Sequence, residues 1–119
     1  MPHHLTATPF TVPTDDGKLI EEHFGLASSG HAGFSLAHMV APPGWSEPWQ
    51  QPDFDELTIL LMGRQQVEVD GETLVLGPGQ ALAVLAGSRV RYSNPFEEPA
   101  EYWAVCIPAF TPDGANRER

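Results

Sequence analysis

Glu56 is the residue of this chain best placed to do chemistry. Asp55 and Glu56 open the run Phe54-Asp55-Glu56-Leu57-Thr58-Ile59-Leu60. If that run is a strand, its side chains alternate. Phe54, Glu56, Thr58 and Leu60 then share one face, and Asp55, Leu57 and Ile59 the other. A carboxyl on the enclosed, apolar face of a β-protein is desolvated. Its pKa rises, which suits general acid–base work near neutral pH. The same alternation puts Val90, Tyr92 and Asn94 on an inward face and Arg89 and Arg91 on the opposite one. The expected cavity is walled by Phe54, Leu60, Val90 and Tyr92, with Glu56, Gln50 and His38 as polar points, the usual form of a small-molecule site. The candidate second proton-transfer group is His38, provided its strand presents it inward, or Tyr92. Trp45 and Trp49 lie in a Pro-rich loop, where they either cover a ligand, close the mouth or face a partner subunit. The competing reading of Glu56 is a carboxyl held by a backbone or Gln50 hydrogen bond. That of His38 is an exposed or hydrogen-bonded strand histidine. Cys106 reads as a small buried hydrophobe.

These side chains need a scaffold, and the punctuation of the chain specifies one. Twelve prolines and eleven glycines are spread so that Asp53–Met62 is the longest stretch free of both. Gly and Pro interrupt helices at about 1 and 3 kcal/mol respectively, which excludes helical bundles, coiled coils and doubly wound α/β folds. Strands are expected over Lys18–Phe24, Phe34–Val40, Glu56–Met62, Gln65–Val69, Thr73–Leu76, Ala81–Leu85, Arg89–Ser93 and Glu101–Ile107. Asp70-Gly71 supplies the positive φ angles of a type I′ hairpin turn. Short strands with frequent turns argue an all-β sandwich or barrel. Residues 1–17, rich in Thr and Pro, read as an arm, either partly disordered or pairing with a partner subunit. Residues 18–110 form the single barrel domain, and 111–119 read as a frayed polar tail.

Charge narrows the partners. Sixteen acidic against six basic residues give a formal net charge of −10, which repels phosphate backbones and anionic lipids, so neither nucleic acid nor membrane is expected. No apolar run reaches transmembrane length, and the N-terminal residues lack the pattern of a signal peptide. One cysteine excludes an internal disulfide framework and fits a cytoplasmic address.

Two spacings go further. Gly44, Gln50, Pro52, Glu56 and Gly63 stand in the register of the first cupin motif. Gly79, Leu85-Ala86-Gly87, Val90 and Asn94 stand in that of the second. From about residue 30 to 110 the chain resembles the cupin superfamily, which implies an antiparallel jelly-roll barrel (the double-stranded β-helix) with little helix. The resemblance also implies metal-binding histidines where this chain has Gln50, Pro52 and Val90, or, with a gap one residue longer, Trp49 and Gln51. Only the glutamate remains, and all five histidines lie at or before position 38. A first-row metal needs three or four good donors, so no cofactor is expected beyond a weak site at Glu56, His38 and Gln50. Phe54-Asp55-Glu56 and Gly87-Ser88 are closer to the metal-poor cupins of the ethanolamine-utilisation type. An acetate kinase activity is attributed to that type. Lys18 is the only lysine here, and no phosphate-cradling Gly-Lys-Ser/Thr loop is present, so fold and pocket position carry over and the kinase activity does not.

The expected function is a small-molecule-binding cupin acting as a metal-independent isomerase, lyase or cyclase. Glu56 and His38 are its catalytic groups, and Gln50, Trp49, Phe54, Val90 and Tyr92 bind a small organic ligand. The alternative is a non-catalytic ligand-binding or accessory module that assembles with a partner. A homodimer is expected from the resemblance.

Overall fold

The computed structural model describes residues 2–118. Met1 and Arg119, the outermost residues of the expected arm and tail, lie outside them. In chain order the strands are β1 (Phe10–Thr11), β2 (Leu19–Phe24), β3 (Ser35–Ala41), β4 (Asp55–Met62), β5 (Gln65–Val69), β6 (Glu72–Leu76), β7 (Ala81–Val84), β8 (Val90–Ser93) and β9 (Ala100–Ile107), followed by one helical turn, α1 (Pro112–Ala115). A six-stranded sheet runs β1-β2-β3-β9-β4-β7, a three-stranded sheet runs β6-β5-β8, and the pairings are antiparallel. This is the expected all-β jelly-roll barrel.

Local chemistry sets its corners. Asp70 and Gly71 close the β5–β6 hairpin with φ of 48° and 84°, as a type I′ turn requires. Gly63, at φ 80°, ends β4 where a Cβ would collide with the Pro99 carbonyl. Asn94 is fully buried. Its Nδ2 donates to the carbonyls of Ala41, Pro42 and Glu98 at 3.2, 3.3 and 2.7 Å, tying the end of β3 to the loop between β8 and β9.

Between the sheets the main core contains Trp45, Leu60, Val67, Leu76, Val84, Val90 and Tyr102. A smaller cluster joins Phe54, Cys106 and Ala115, with Phe110 against it. The inner faces of the two central strands carry small residues in register, Ser35 opposite Cys106 and Ala37 opposite Ala104. Small side chains on paired strands leave space that the facing sheet does not fill, and the cavity described below opens there.

Both termini depart from expectation. β1 of the arm pairs with β2 of the same chain, Phe10 opposite Glu22 and Thr11 opposite Glu21. The tail docks. Thr111 Oγ1 caps α1 by accepting from the Gly114 N–H at 2.8 Å, Pro112 stands in the first turn, and Asn116 ends it in the left-handed region, a usual helix stop. Ala115 is fully buried, and the Asp53 N–H donates to the Gly114 carbonyl at 2.8 Å, the Glu118 N–H to that of Trp49 at 2.7 Å. A polar composition concealed one apolar anchor. No helix among the described residues is long and apolar enough to cross a membrane.

Candidate functional site

The alternation deduced for β4 holds in the structure. Phe54, Thr58 and Leu60 are buried and Leu57 and Ile59 exposed, so Glu56 faces the interior. It stands opposite Cys106 on β9, which stands opposite Ser35 on β3. This rung forms one wall of a cavity of about 90 Å³, several times the roughly 10–15 Å³ that admits a single water. Lys18, Glu22, Glu47, Gln50, Tyr92, Tyr102 and Arg117 add polar groups to the wall, and Ile20, Ala37, Met39, Ala104 and Phe110 apolar ones.

Electrostatics follow from enclosure. Burial, reinforced by the nearby Glu47 charge and opposed by Lys18 and Arg117, lifts the Glu56 carboxyl to about 7. Glu56 retains some accessible surface because the cavity itself admits water-sized molecules. Glu47 is raised by burial too, with Lys18 and the Tyr92 N–H pulling the other way. Its Oε1 accepts from Gln50 Nε2 at 3.0 Å and from the Tyr92 N–H at 3.3 Å. Burial lowers the Lys18 ammonium despite Glu47, Glu56 and Asp16 nearby, and Nζ lies 4.0 Å from the Trp45 ring centroid. Tyr92 and Tyr102 are pushed far up by burial, so both phenols stay neutral. Neither hydroxyl has a hydrogen-bond partner among the described residues, nor does Gln50 Oε1. Unpartnered buried polar atoms are costly in isolation.

Among the expected site residues, Glu56, Gln50 and Tyr92 come together at the cavity. The others go elsewhere. His38 is a correction. On β3 the inward positions are Ser35, Ala37, Met39 and Ala41, so His38 points outward. Its Nδ1 and Nε2 lie 2.9 Å and 2.6 Å from Glu21 and Glu101, and its ring centroid lies 5.1 Å from that of Trp103. It therefore joins neither a catalytic pair nor a metal site with Glu56. Phe54 is inward but is taken up by Phe110, ring centroids 5.6 Å apart, and by the α1 turn. Val90, like Leu60, is sealed in the main core. Trp49 lies outside beneath the Arg89 and Arg91 guanidinium groups, 4.1 and 5.0 Å from the ring centroid. Trp45 is core, its Nε1–H donating to Asp16 at 2.7 Å. Arg89 and Arg91 do face out, paired with Glu118 and Glu68.

Lys18, Glu47, Tyr102 and Arg117 were missed. Tyr102 was legible, because Ala100, Tyr102, Ala104 and Cys106 alternate along β9. Glu47 and Arg117 lie in irregular segments with no period to extrapolate, and Lys18 directly precedes β2.

The donor set does not fit a transition metal. Pro52 and Val90 offer no donor atom, and Gln50 offers only an amide. No three His, Cys, Asp or Glu side chains converge to hold an ion among the described residues.

Fold and site define a small β-barrel with a mostly apolar interior cavity that carries a few polar groups. Residues 37–108 match the Cupin_2 family, cupin domain, and the chain belongs to that family. It is 45% identical over 107 residues to a protein of Myxococcus xanthus (strain DK1622) named endoribonuclease YbeY. The match takes in 90% of this chain and 36% of that protein, so the chain spans about a third of that curated relative. Among solved structures it is similar to KdgF from Halomonas sp., TM-score 0.72 at 15% identity over 85% of this chain and 89% of that one. It is also similar to a Cupin 2 conserved barrel domain protein from Salinispora arenicola CNS-205, TM-score 0.70 at 21% identity over 88% and 90%. The ethanolamine utilization protein Q of Salmonella typhimurium LT2 gives TM-score 0.65 at 20% identity over 78% and 71%. At these identities the likeness concerns the fold.

Proposed function

We propose that this cupin domain binds a small organic acid or carbonyl compound in its inner cavity and moves a proton on it with Glu56, as a metal-independent isomerase, lyase or cyclase. The observation that carries the reading is the Glu56 carboxyl at the cavity wall, poised near 7 by burial. A group that titrates there holds acid and base forms together at neutral pH. Tyr92 takes the second role intended for His38. Its neutral, unpartnered hydroxyl donates to a substrate oxygen as charge builds there.

The test has two stages. A thermal-shift screen of small carboxylic acids, oxo acids and sugars, with and without chelator, reports occupancy. Ligand at about 100 times its Kd adds roughly 2.7 kcal/mol. With a hit identified, Glu56→Gln lowers turnover by about 10²–10⁴-fold while ligand-induced stabilisation persists. Unimpaired turnover in that variant, or turnover abolished by chelator, sinks the reading.

A second reading is favoured by the Myxococcus xanthus relative, in which a matching segment is one part of a longer protein named as an endoribonuclease. Here the domain is an accessory module to such an enzyme. With a net charge of −10 it contributes assembly or ligand response and leaves RNA contact to its partner. Adding the purified domain to the endoribonuclease portion of that relative then changes ribonuclease turnover. No change, together with hits in the ligand screen, discards this reading in favour of the first.

A further inference from the structure

The proton-transfer reading leaves one buried reactive group unused. Lys18, the only lysine of the chain, is buried, and its side chain points into the same cavity as Glu56. Nζ is over the Trp45 ring at 4.0 Å and near the Tyr102 ring at 5.2 Å. It takes part in none of the ion pairs within 4.0 Å among the described residues.

Lys18 also borders a second hollow, of about 270 Å³ and lined in part by Pro13, Asp16 and Pro48. Lys18, Glu47, Phe110 and Arg117 line both. Lys18 therefore lies on the wall common to the two hollows. Arg117, also free of ion pairs among the described residues, brings a guanidinium to the same wall, suited to a carboxylate. Gln50 Oε1 and the Tyr92 hydroxyl, both more than nine-tenths buried and unpartnered, line the inner side.

We propose that Lys18 is an imine-forming nucleophile, whose Nζ condenses with the carbonyl carbon of a small 2-oxo acid held by Arg117, with Glu56 relaying the protons. The proposal rests on the reading of the cavity as a small-molecule site and names its substrate class. The neutral amine attacks the carbonyl carbon, the C–N bond forms, and the π pair moves to oxygen, which takes the Glu56 proton. The resulting Glu56 carboxylate removes a proton from nitrogen to give the carbinolamine. Glu56 then protonates the hydroxyl, the C–O bond breaks, water leaves, and the nitrogen lone pair closes the iminium. In sum, amine, carbonyl and one proton give iminium and water. The Glu56 carboxylate is left beside the carbon next to the iminium, placed to remove its proton and give the enamine. Asp16, Glu47, Glu56 and Arg117 are the charges around the amine, and burial outweighs the carboxylates in favouring its neutral, nucleophilic form.

A single lysine makes the test clean. The folded protein is incubated at neutral pH with pyruvate, or with propanal, plus cyanoborohydride, and the reduced adduct is located by peptide mass spectrometry. Lys18 is expected to be labelled faster in folded than in urea-unfolded protein, because burial favours the neutral amine. Lys18→Arg, its fold checked by circular dichroism, abolishes the label. Glu56→Gln slows it, and Arg117→Gln reduces the preference for pyruvate over propanal. No label at Lys18, label on the N-terminal amine alone, or folded protein no faster than unfolded overturns the proposal. Thermal stabilisation by pyruvate without reductant is measured in parallel. Stabilisation without Lys18 labelling overturns the imine and leaves the Glu56 reading standing, whereas absence of both overturns the two together.

Discussion

Glu56 and His38 lie on opposite faces of the same six-stranded sheet, and their environments differ in kind. On the inner face Glu56 has been withdrawn from water, with the Glu47 charge against it and Lys18 and Arg117 in its favour, and its carboxyl is driven to about 7. On the outer face His38 has two carboxylates in hydrogen-bond reach. Partial burial works against its protonation, yet the bonds to Glu21 and Glu101 outweigh it and hold the imidazolium above its ordinary value. Inside, enclosure perturbs a group and leaves neighbouring polar atoms unpartnered. Outside, partners saturate the group and anchor it. Perturbation without saturation on the inner face is what the proposed ligand site draws on.

The contrast can be broken first through packing. Leu60 is fully buried while Ile59, its neighbour on β4, is 43% exposed. Leu60→Ala is expected to cost about 2–5 kcal/mol and Ile59→Ala less than about 1 kcal/mol, both read by urea denaturation. Equal losses would mean that the outer face is covered too, as the expected homodimer would cover it.

Next comes the pH dependence of the inner carboxyl. A folded-state pKa raised from 4.5 to about 7 means that the Glu56 contribution is fully present below about pH 4.5. It is lost as pH rises through about 7. Glu56→Gln removes that dependence, so its stability relative to the parent should improve by up to about 3 kcal/mol between pH 4.5 and 8. A pH-independent difference would place the carboxyl in water.

His38 has the same sign in a later window. Its raised pKa gives stability fully present below 6.5 and lost as pH climbs through the higher folded value. His38→Gln is expected to cost less than about 1 kcal/mol, more at pH 6 than at pH 9, and to leave the turnover proposed for the cavity intact. A large loss of turnover would return His38 to the active machinery. The smallest stability effect is expected for Tyr92→Phe. Its hydroxyl has no partner to lose, so stability should hold within about 1 kcal/mol, while ligand-induced stabilisation weakens. Unchanged ligand response would remove Tyr92 from the site.

Much of this was legible in advance, for identifiable reasons. Gln65–Val69, Asp70-Gly71 and the inward parity of Glu56, Tyr92 and Asn94 follow from period-two alternation and turn chemistry, both local. His38 was ambiguous because Phe34-Ser35-Leu36-Ala37-His38-Met39-Val40 carries apolar residues at both parities, so pattern alone could not choose its face. Pairing to β9 chose it. Phe54 was placed on the correct face but given the wrong neighbours, since nothing local announces that Ala115 folds back onto it.

Alternation, punctuation and motif spacing thus specified the strands, the barrel and the inward-facing acid, because each depends on residues within a few positions of one another. The tertiary fold alone brought Lys18, Glu47 and Arg117 from just before β2, a loop and the tail to one cavity wall. Their nearness costs long-range chain closure, and no short-range pattern encodes it. The pKa of Glu56 belongs to the same category, since desolvation and neighbouring charge are properties of the assembled cavity and not of the strand that carries the carboxyl.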